Sequence, residues 1–557
     1  MKTELNSGEH KSAKKSKSNV FINLLSNFLM FFFVINVTAQ TGTSGVFSNQ
    51  ADIGKPKIAG SVVYNQLDQS YKLTGAGYNI WFERDELQFS YRKIKGDFIL
   101  TANFEFPVIS TSIERKMGWM IRESLDDNSA QISAVTQGNG ATALQWRAMK
   151  GAFMRRPLDE IMAFKSYYQI IQLERKGQQI IFRAAQVGEP LQVIGTHNMP
   201  DMPTEIFAGL FICSNNPDKF EIARVWNVRI DLPLVDNSTS PYSMIPIIAV
   251  PRPAVNPVAN PAAVQTTATP SPTRVVARME ILNISDGVRR VIYESTGSMQ
   301  APNWMKDGKK LLYNESGLLY TIPIEGGTPE KINTDFAINN NNDHGISFDG
   351  KNIAIGSTLK TATSSGPAVY VVPIEGGVPK LITDKTPSYF HGWTADSKEI
   401  LYVAQRDTPV YNIYRKPITG GKEVQLTFFK TGHVDGPEAS ADGKYIYYNG
   451  VQLGTMQIWR MKPDGSGQEQ LTFDEYNSWF PHMSPDGKWI VFISFPAEIN
   501  PRSHPSNKRV MLQLMPVLGG TPRVIAYLYG GQGTMNVLSW SPDSKQIAFV
   551  SYSKISE

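Results

Sequence analysis

Four of the seven histidines in this 557-residue chain lie a few residues before a recurring Asp-Gly or Asp-Ser turn. Imidazoles that are brought together with carboxylates can bind a divalent metal or act as acid and base. Acids next to one of these histidines could join such a site. The catalytic candidates are His344, His391, His433, Asp435, Glu438 and His482. The candidates for metal ligands are His344, His391 and His482.

The turn that follows these histidines is a repeat marker. Ser484-Pro485-Asp486-Gly487 suits a type I turn, and the residues 488–493 after it alternate as a strand does. Near-copies recur about every 42 to 57 residues along the C-terminal half. Periods of roughly 40 to 50 residues with four short strands each indicate propeller blades. The six anchor residues are Asp307, Asp349, Asp396, Asp442, Asp486 and Asp543.

The last repeat is incomplete, because only one strand, residues 546–552, follows its turn. Two strand-like stretches, residues 279–284 and 288–293, precede the first complete repeat. We expect them to supply the outer strands of the sixth blade, which closes the ring and leaves no open sheet edge. The predicted fold class is all-β, with a six-bladed propeller closed by the two ends of the repeat region.

All innermost strands of a propeller run the same way, so the residues before each turn converge on one rim of the channel. This rim is rich in polar and aromatic side chains, which favours a site for a small polar ligand. The alternative for each histidine is a structural one, in which it caps a strand and hydrogen-bonds the neighbouring blade. The predicted ligand-binding residues are Asn342, Asp343, His344, Tyr389, His391, His433, Asp435, Glu438, Trp479, His482, Gln532 and Asn536.

An insertion, residues 495–508, lengthens the fifth repeat and carries His504. Long loops in compact folds are often functional, so it could form a lid over the rim, but His504 could equally be a solvated residue. No Gly-x-Ser-x-Gly elbow and no helical His-Glu-x-x-His occurs in the sequence. Serine-hydrolase and zincin chemistry therefore have no motif support.

Residues 51–232 contain short runs of aromatic and β-branched residues separated by turns, which predicts an antiparallel β-sandwich. Its segments Asp85-Glu86-Leu87-Gln88-Phe89 and Gly118-Trp119-Met120-Ile121-Arg122 resemble the concanavalin-like jelly-roll domains of the DUF1349 type. That resemblance implies a concave face able to bind glycans, although aromatic residues on strands are more often core. The candidates on that face are Trp81, Trp119, Trp146 and Arg122.

The repeats themselves resemble the WD40-like (PD40) repeats of the TolB propeller family. The likeness rests on Met305-Lys306-Asp307-Gly308, Ser541-Pro542-Asp543-Ser544 and the blade-end motif Gln470-Leu471-Thr472. It implies a six-bladed propeller, and an envelope scaffold that binds proteins as one function. The histidine-rich rim also resembles that of the oligogalacturonate lyases, in which a metal neutralises a uronate carboxylate while a base removes the adjacent proton.

The first 39 residues are typical of an export signal, with a basic start, an apolar run at residues 21–37 and Val37-Thr38-Ala39 before Gln40. An uncleaved signal would be the one contact with a membrane. The net charge is +5, and the five lysines and two glutamates of the first 19 residues supply +3 of it. Too little positive charge remains to indicate nucleic-acid binding. The single cysteine, Cys213, predicts a buried strand thiol rather than a disulfide.

These patterns predict five segments: a signal peptide (1–39), a short leader (40–50), the sandwich (51–232), a Pro-rich linker (233–273) and the propeller (274–557). The leading hypothesis is an exported binding protein, periplasmic or extracellular, whose rim holds a glycan or another small polar ligand. One alternative is a metal-assisted polysaccharide lyase or hydrolase at the same rim. The second is a TolB-like envelope scaffold with protein partners. Whether the chain is an enzyme, and whether a divalent metal is bound, stays open at this point.

Overall fold

The computed structural model describes residues 44–109, 112–234, 274–360 and 365–555. The predicted signal peptide and nearly all of the predicted linker lie outside these residues, so the proposed domain boundaries stay predictions. In the described part of the chain, no helix is long and apolar enough to cross a membrane. The described residues form strands, turns and irregular segments without any helix, as the all-β prediction requires.

Sixteen strands make up the N-terminal half. They are β1 (Asn49–Ile53), β2 (Ser61–Asn65), β3 (Ser70–Gly77), β4 (Ile80–Trp81), β5 (Arg84–Asp85), β6 (Leu87–Lys95), β7 (Phe98–Glu105), β8 (Lys116–Arg122), β9 (Gln131–Gln137), β10 (Thr142–Arg147), β11 (Glu160–Met162), β12 (Ile170–Lys176), β13 (Gln179–Ala185), β14 (Gln192–Asn198), β15 (Glu205–Cys213) and β16 (Asn216–Asp231).

Fourteen of these strands form two seven-stranded antiparallel sheets, ordered β1-β6-β15-β8-β9-β10-β11 and β14-β13-β12-β7-β16-β3-β2, and β4 pairs with β5. The core between them contains Leu100, Trp119, Ile171 and Leu210, because alternate positions of each strand point inward. The predicted sandwich is confirmed, whereas its jelly-roll identity stays a prediction. Cys213 is buried at the end of β15 and is not disulfide-bonded, as predicted.

Twenty-three strands make up the C-terminal half. They are β17 (Val275–Asn283), β18 (Arg289–Ser295), β19 (Met299–Trp304), β20 (Lys310–Glu315), β21 (Leu318–Pro323), β22 (Glu330–Lys331), β23 (Asn340–Ile346), β24 (Asn352–Lys360), β25 (Ser365–Pro373), β26 (Lys380–Leu381), β27 (Ser388–Trp393), β28 (Glu399–Ala404), β29 (Asn412–Pro417), β30 (Val424–Gln425), β31 (His433–Ala439), β32 (Ile446–Val451), β33 (Gln457–Met461), β34 (Glu469–Gln470), β35 (Asn477–Met483), β36 (Trp489–Phe495), β37 (Lys508–Pro516), β38 (Arg523–Gly530) and β39 (Gln546–Lys554).

Five complete blades are built from consecutive strands, β19 to β22 through β35 to β38, four strands to a sheet. The sixth blade joins the two ends of the repeat region, because β39 pairs along its whole length with β17, and β17 pairs with β18. Its innermost strand is reduced to a single bridge between Trp540 and Ile547. The predicted closure of the ring is confirmed.

The innermost strand of each complete blade carries a bulge at the same level, shortly after the strand begins. Its register slips between residues 300 and 303, 340 and 344, 390 and 392, 435 and 438, and 479 and 482. Left-handed backbone at Ala301, Gly436 and Phe480 produces three of these irregularities. A bulge turns the next side chain away from its regular direction, so these five bulges decide which rim residues meet.

The sandwich packs directly on the propeller through a buried ion network. Glu280 on β17 accepts hydrogen bonds from Arg229 of the sandwich, at 2.5 Å, and from Arg289 on β18, at 2.8 Å. Burial opposes its ionisation, but the two guanidinium groups lower the pKa of Glu280 to about 2. Ser551 on β39 also donates to this carboxylate. The buried carboxylate of Glu280 is therefore neutralised and hydrogen-bonded by residues of both halves. The sandwich and the propeller share this polar network.

Candidate functional site

A single carboxylate, that of Asp435 on β31, gathers three histidines from three blades. His391 Nε2 on β27 lies 2.7 Å from Asp435 Oδ1. His433 Nε2 and His504 Nε2 each lie 3.7 Å from Asp435 Oδ2. Together with the neighbouring Asp343, these four residues are called the Asp435 cluster below. It lies where the bulges of β23, β27 and β31 turn their side chains into the channel.

The charges of the Asp435 cluster are set by burial and by its close pairs. Burial opposes a charge on either partner, but their contact raises the pKa of His391 and holds the pKa of Asp435 well below its usual range. Burial, with the Asp435 charge nearby, raises the pKa of Asp343 to about 6. Burial also lowers the pKa of His504 to about 4. His504 is therefore a neutral imidazole near neutral pH, while the contact with Asp435 favours the charged form of His391.

A chain of side-chain amides crosses the channel next to the cluster. Gln532 Nε2 donates to Asn342 Oδ1 at 3.0 Å, and Asn536 Nδ2 donates to Gln532 Oε1 at 3.1 Å. Asn536 Oδ1 accepts from the backbone N–H of Gly533 at 2.7 Å. Direct hydrogen bonds therefore join two predicted parts of the rim across the channel. One part is Asn342 on β23, and the other is the loop before the sixth blade, with Gln532 and Asn536.

His504 belongs to the cluster but was not among the site residues predicted from the sequence. The insertion after β36 folds over the rim, and the His504 ring lies 4.5 Å from the Trp479 ring and 5.0 Å from the Phe480 ring, between centroids. Its side chain is 15% exposed, so the alternative of a solvated residue is wrong. The unusual length of the fifth repeat was the one signal in the sequence that could have pointed to it.

Aromatic residues predicted for the site pack against the histidines. Trp479 is fully buried, and its ring centroid lies 5.6 Å from that of His433. Tyr411, which the sequence did not single out, packs edge-on against His433 at 5.6 Å and against Tyr389 at 5.8 Å. These rings form an apolar wall that fixes the imidazoles in place.

Two predicted residues, His482 and Glu438, form a separate and fully hydrogen-bonded pair. His482 Nδ1 lies 2.6 Å from Glu438 Oε2, and its Nε2 lies 3.1 Å from the carbonyl oxygen of Met535. Glu438 Oε1 accepts from the backbone N–H of Met483 at 3.0 Å. Each polar atom of the pair contacts a neighbouring blade, which is the arrangement expected of a structural strut between blades.

His344 lies away from the other candidates, in the seam between the first two complete blades. It is completely buried, and its neighbours include the backbone oxygens of Ala301 and Leu312, but neither ring nitrogen makes a hydrogen bond of ordinary geometry. Burial lowers its pKa to about 4. The three residues predicted as metal ligands are therefore not brought together. Among the described residues, no three His, Cys, Asp or Glu side chains are arranged so that they could hold a metal ion.

Some of the buried polar atoms without an ordinary hydrogen bond lie at or beside the Asp435 cluster, and others lie in the sandwich and elsewhere in the described part of the chain. Asn342 Nδ2, His391 Nδ1, His433 Nε2 and His504 Nδ1 are buried and make no hydrogen bond of ordinary length and angle within the protein. Buried polar groups in folded proteins nearly always have a hydrogen-bond partner. A group without a partner in the protein usually binds water or a ligand. The cluster can therefore offer several donors and acceptors to a molecule that enters the channel.

The four sandwich candidates have largely structural surroundings. Trp119 belongs to the core between the sheets, and Trp146 stacks on His197 with ring centroids 3.8 Å apart. Arg122 is fully buried beside Asp85, at 3.4 Å. Trp81 is the one of the four whose ring stays half-exposed, with Lys116 Nζ 5.1 Å from its centroid.

The fold and the site define the class of this protein: a six-bladed β-propeller with a polar channel mouth, packed against an N-terminal β-sandwich. No protein-family model matches the chain. An uncharacterized protein of Agrobacterium fabrum, Atu1656, is 44% identical to it over 275 residues, which is 49% of this chain and 92% of that protein. This length is close to that of the propeller half.

Two solved structures extend the comparison. The structure of a TolB candidate from Agrobacterium tumefaciens is 43% identical, with 50% of this chain and 99% of that chain covered and a TM-score of 0.48. The crystal structure of TolB from Acinetobacter baumannii is 20% identical, with 46% and 64% covered and a TM-score of 0.36. The sequence identity to the Agrobacterium proteins shows the family: the chain belongs to the TolB-like β-propeller proteins.

Proposed function

We propose that this chain is an exported TolB-like propeller protein whose channel mouth binds a small polar ligand, a glycan or a molecule of similar polarity. The observation that carries the proposal is the set of buried nitrogen atoms around Asp435 that make no hydrogen bond of ordinary length and angle within the protein. An imidazole nitrogen can donate to or accept from a hydroxyl group, depending on its tautomer. Sugar hydroxyls, which both donate and accept, suit such a set.

The arrangement of the cluster supports binding at the channel mouth rather than deep in a core. His504 and His433 keep 15% and 10% of their side chains exposed, and Gln532 is half-buried. The insertion that carries His504 covers one side of the mouth. A ligand would reach the cluster from the open side and replace water on the imidazoles, at little cost in rearrangement.

The experiment compares the wild-type protein with a His433→Asn/His504→Asn double variant by calorimetric titration with neutral and uronate oligosaccharides. We expect at least one sugar to bind the wild type with a Kd of about 1 mM or tighter. The affinity of the double variant for that sugar should be at least about tenfold lower. His197→Gln, in the sandwich, is the matched control and should bind as the wild type does. Binding that survives in the double variant would argue against this site.

A second function, a protein-binding scaffold, is favoured by a different observation on the same end of the propeller. Loops there expose large apolar side chains: Phe428 is 73% exposed, Leu453 95% and Phe473 78%. The loops with Phe428 and Phe473 each precede an innermost strand, and Leu453 lies in the turn between β32 and β33. The topology therefore places all three on the face of the propeller that carries the channel mouth. Apolar residues that are exposed together often mark protein contacts. The relationship to TolB-like proteins supports envelope proteins as the partners.

This second function is tested with a Phe428→Asp/Phe473→Asp variant in cross-linking of intact envelopes. Partners that depend on the channel mouth should be lost from the variant but kept in Leu518→Asp, because Leu518 is 89% exposed on a turn at the opposite end. If both variants retain the same cross-links, the channel mouth is not a protein-binding surface.

Export is supported by the basic, apolar and small-residue pattern of the first 39 residues, and a periplasmic location is in keeping with the TolB-like relatives. The geometry does not favour a metal-assisted lyase, because His344, His391 and His482, the predicted metal ligands, lie apart from one another in the described part of the chain. Detection of the processed N-terminus by mass spectrometry, with loss of residues 1–39, would test the export step directly.

A further inference from the structure

A cavity of about 210 Å³ lies between the sandwich and the fifth blade, and its lining includes no residue of the Asp435 cluster. The outer face of the second sandwich sheet forms one wall, with Thr101 and Gln172, and strands β37 and β38 form the other, with Tyr527 and Tyr529. Clefts between domains are frequent sites of small-molecule binding. Nothing in the proposed function of the channel mouth uses this cavity.

The cavity has a fixed shape, because short contacts join its two walls. The backbone N–H of Val524 donates to the carbonyl oxygen of Gly188 at 2.9 Å, and the Tyr527 hydroxyl donates to the carbonyl oxygen of Glu189. Arg509 of β37 donates to Glu174 of β12. A ligand would therefore enter a preformed space, which lowers the entropic cost of binding.

The polar lining carries an excess positive charge. Arg183 Nη1 lies 2.6 Å from Glu174 Oε2, and Arg509 contacts the other oxygen of the same carboxylate. Two guanidinium groups thus share one carboxylate. Asp231, an acid of the lining, accepts from Arg278 at 2.6 Å, and Arg278 also contacts Glu294 at 3.2 Å. The excess positive charge is therefore confined to the group formed by Arg183, Glu174 and Arg509.

Arg509 is the guanidinium that a ligand could reach. Its side chain is 40% exposed, whereas that of Glu174 is 6% exposed and that of Arg183 is 18% exposed. Arginine presents several donors in a fixed plane and can keep one carboxylate partner while it binds a second. The excess charge is therefore available at the mouth of the cavity.

The remaining lining is flat and apolar. Tyr529 stands beside Arg509, with the guanidinium carbon 5.8 Å from the ring centroid, and Pro190, Leu191 and Pro496 line the same space. Aromatic rings and guanidinium planes favour flat ligands by stacking. We propose that this cavity binds a small organic monoanion with a flat apolar body, of the aryl carboxylate class.

The test uses the full-length exported protein and three probes, benzoate, phenylacetate and 4-hydroxybenzoate, with benzyl alcohol as the uncharged control. Titration calorimetry should give saturable binding of at least one anion with a Kd of about 1 mM or tighter, and at least about tenfold weaker binding of benzyl alcohol. Arg509→Gln should weaken binding of the anion at least about tenfold. Leu191→Trp, which fills the cavity and keeps its charge, should abolish it.

The matched control is Arg460→Gln, because Arg460 occupies the third strand of the fourth blade and pairs with Glu469 on the outside of the propeller. It should bind the probes as the wild type does. Any of three results would overturn the proposal: no saturable binding of the three anions up to about 10 mM, equal binding by Arg509→Gln and wild type, or equal binding of benzyl alcohol. None of these three results tests whether the Asp435 cluster binds a ligand.

Discussion

The two halves of this protein each bury a carboxylate among cationic side chains, with opposite results. In the sandwich, Asp85 accepts two hydrogen bonds from Arg147, at 3.0 and 2.8 Å, and lies 3.4 Å from Arg122. Those arginines are held in turn by backbone oxygens, such as that of Ser124, 2.7 Å from Arg122 Nε. In the propeller, Asp435 has one close imidazole and two more that stand off at 3.7 Å.

The difference separates a structural group from a binding group. Arginine stays charged under all ordinary conditions, so Asp85 must be matched closely for the sandwich to fold. Histidine can release its proton, so the surroundings of Asp435 can stay open without a comparable cost. A buried charge is therefore no sign of function by itself. The sign is a buried charge with neighbouring histidines that stand off from it, as His433 and His504 do from Asp435.

Removing the Asp85 charge should have the largest effect. Asp85→Asn leaves Arg122 and Arg147 without their counter-ion in a fully buried place, and breaking such a pair costs about 3–5 kcal/mol of the free energy of unfolding. Urea denaturation monitored by tryptophan fluorescence measures it. The control Asp126→Asn breaks the exposed pair with Lys150 and should cost far less, because solvent screens that pair. Equal costs for both variants would contradict the contrast.

Acid should be the next most effective perturbation. His344 and His504 have pKa values of about 4 in the fold, below the ordinary value of 6.5, so unfolding takes up protons and stability falls as the pH drops from about 6.5 to 4. Asp343, with a pKa of about 6, acts in the opposite direction over part of this range. The net loss should be about 3–4 kcal/mol.

The pH effect is measured as melting temperature against pH for the wild type and for His344→Gln. The variant lacks one of the two imidazoles whose pKa lies at about 4, so its stability should depend less steeply on pH between 6.5 and 4. His482→Gln is not a suitable control, since it breaks the strut to Glu438. Leu518→Gln is suitable, because Leu518 is exposed and does not titrate, whereas burial lowers the pKa of His197 as well. An unchanged pH dependence in His344→Gln would refute the assignment.

Asp435→Asn should be milder than Asp85→Asn and is the sharpest test of the comparison. Without the carboxylate, His391 can lose its proton, so we expect a loss of about 1–2 kcal/mol of the free energy of unfolding. The pKa of His391, which Asp435 raises, should fall in the variant. A histidine NMR titration measures it. A loss as large as that of Asp85→Asn would mean that Asp435 is equally structural.

The smallest effect is expected at the repeat turn. Gly487 has a φ of 69°, and a Cβ added there would meet nothing within 4 Å. Gly487→Ala therefore costs only the strain of left-handed backbone, about 1 kcal/mol. Thermal unfolding should show a small shift and ligand binding should not change. Altered binding would show that the turns contribute to the site at the opposite rim.

The sequence was sufficient to predict the propeller, because each repeat carries its own turn and strand pattern and Asp543 marks an incomplete last copy. Pairing of β39 with β17 followed from counting strands. The sandwich was predicted from alternation alone. That pattern could not tell core from surface tryptophans, since Trp119 and Trp81 both follow turn signals but differ in burial.

The candidate site was predicted in outline but not in its pairings. Equal spacing from the turn placed His344 and His391 at equivalent positions, yet the bulges of β23 and β27 send one into a blade seam and the other into the channel. A bulge depends on tertiary packing and has no reliable sequence signal. His504 was missed for a related reason, because the path of an insertion is set by what it packs against.

The most direct test of the central claim is carbon NMR of histidine side chains in the protein labelled at ring Cε1. On titration with an oligosaccharide that binds, we expect the signals of His391, His433 and His504 to shift together, while those of His197 and His482 stay in place. Shifts confined to His197, or no shift of the three cluster histidines at saturating sugar, would contradict the claim that the Asp435 cluster is the ligand site.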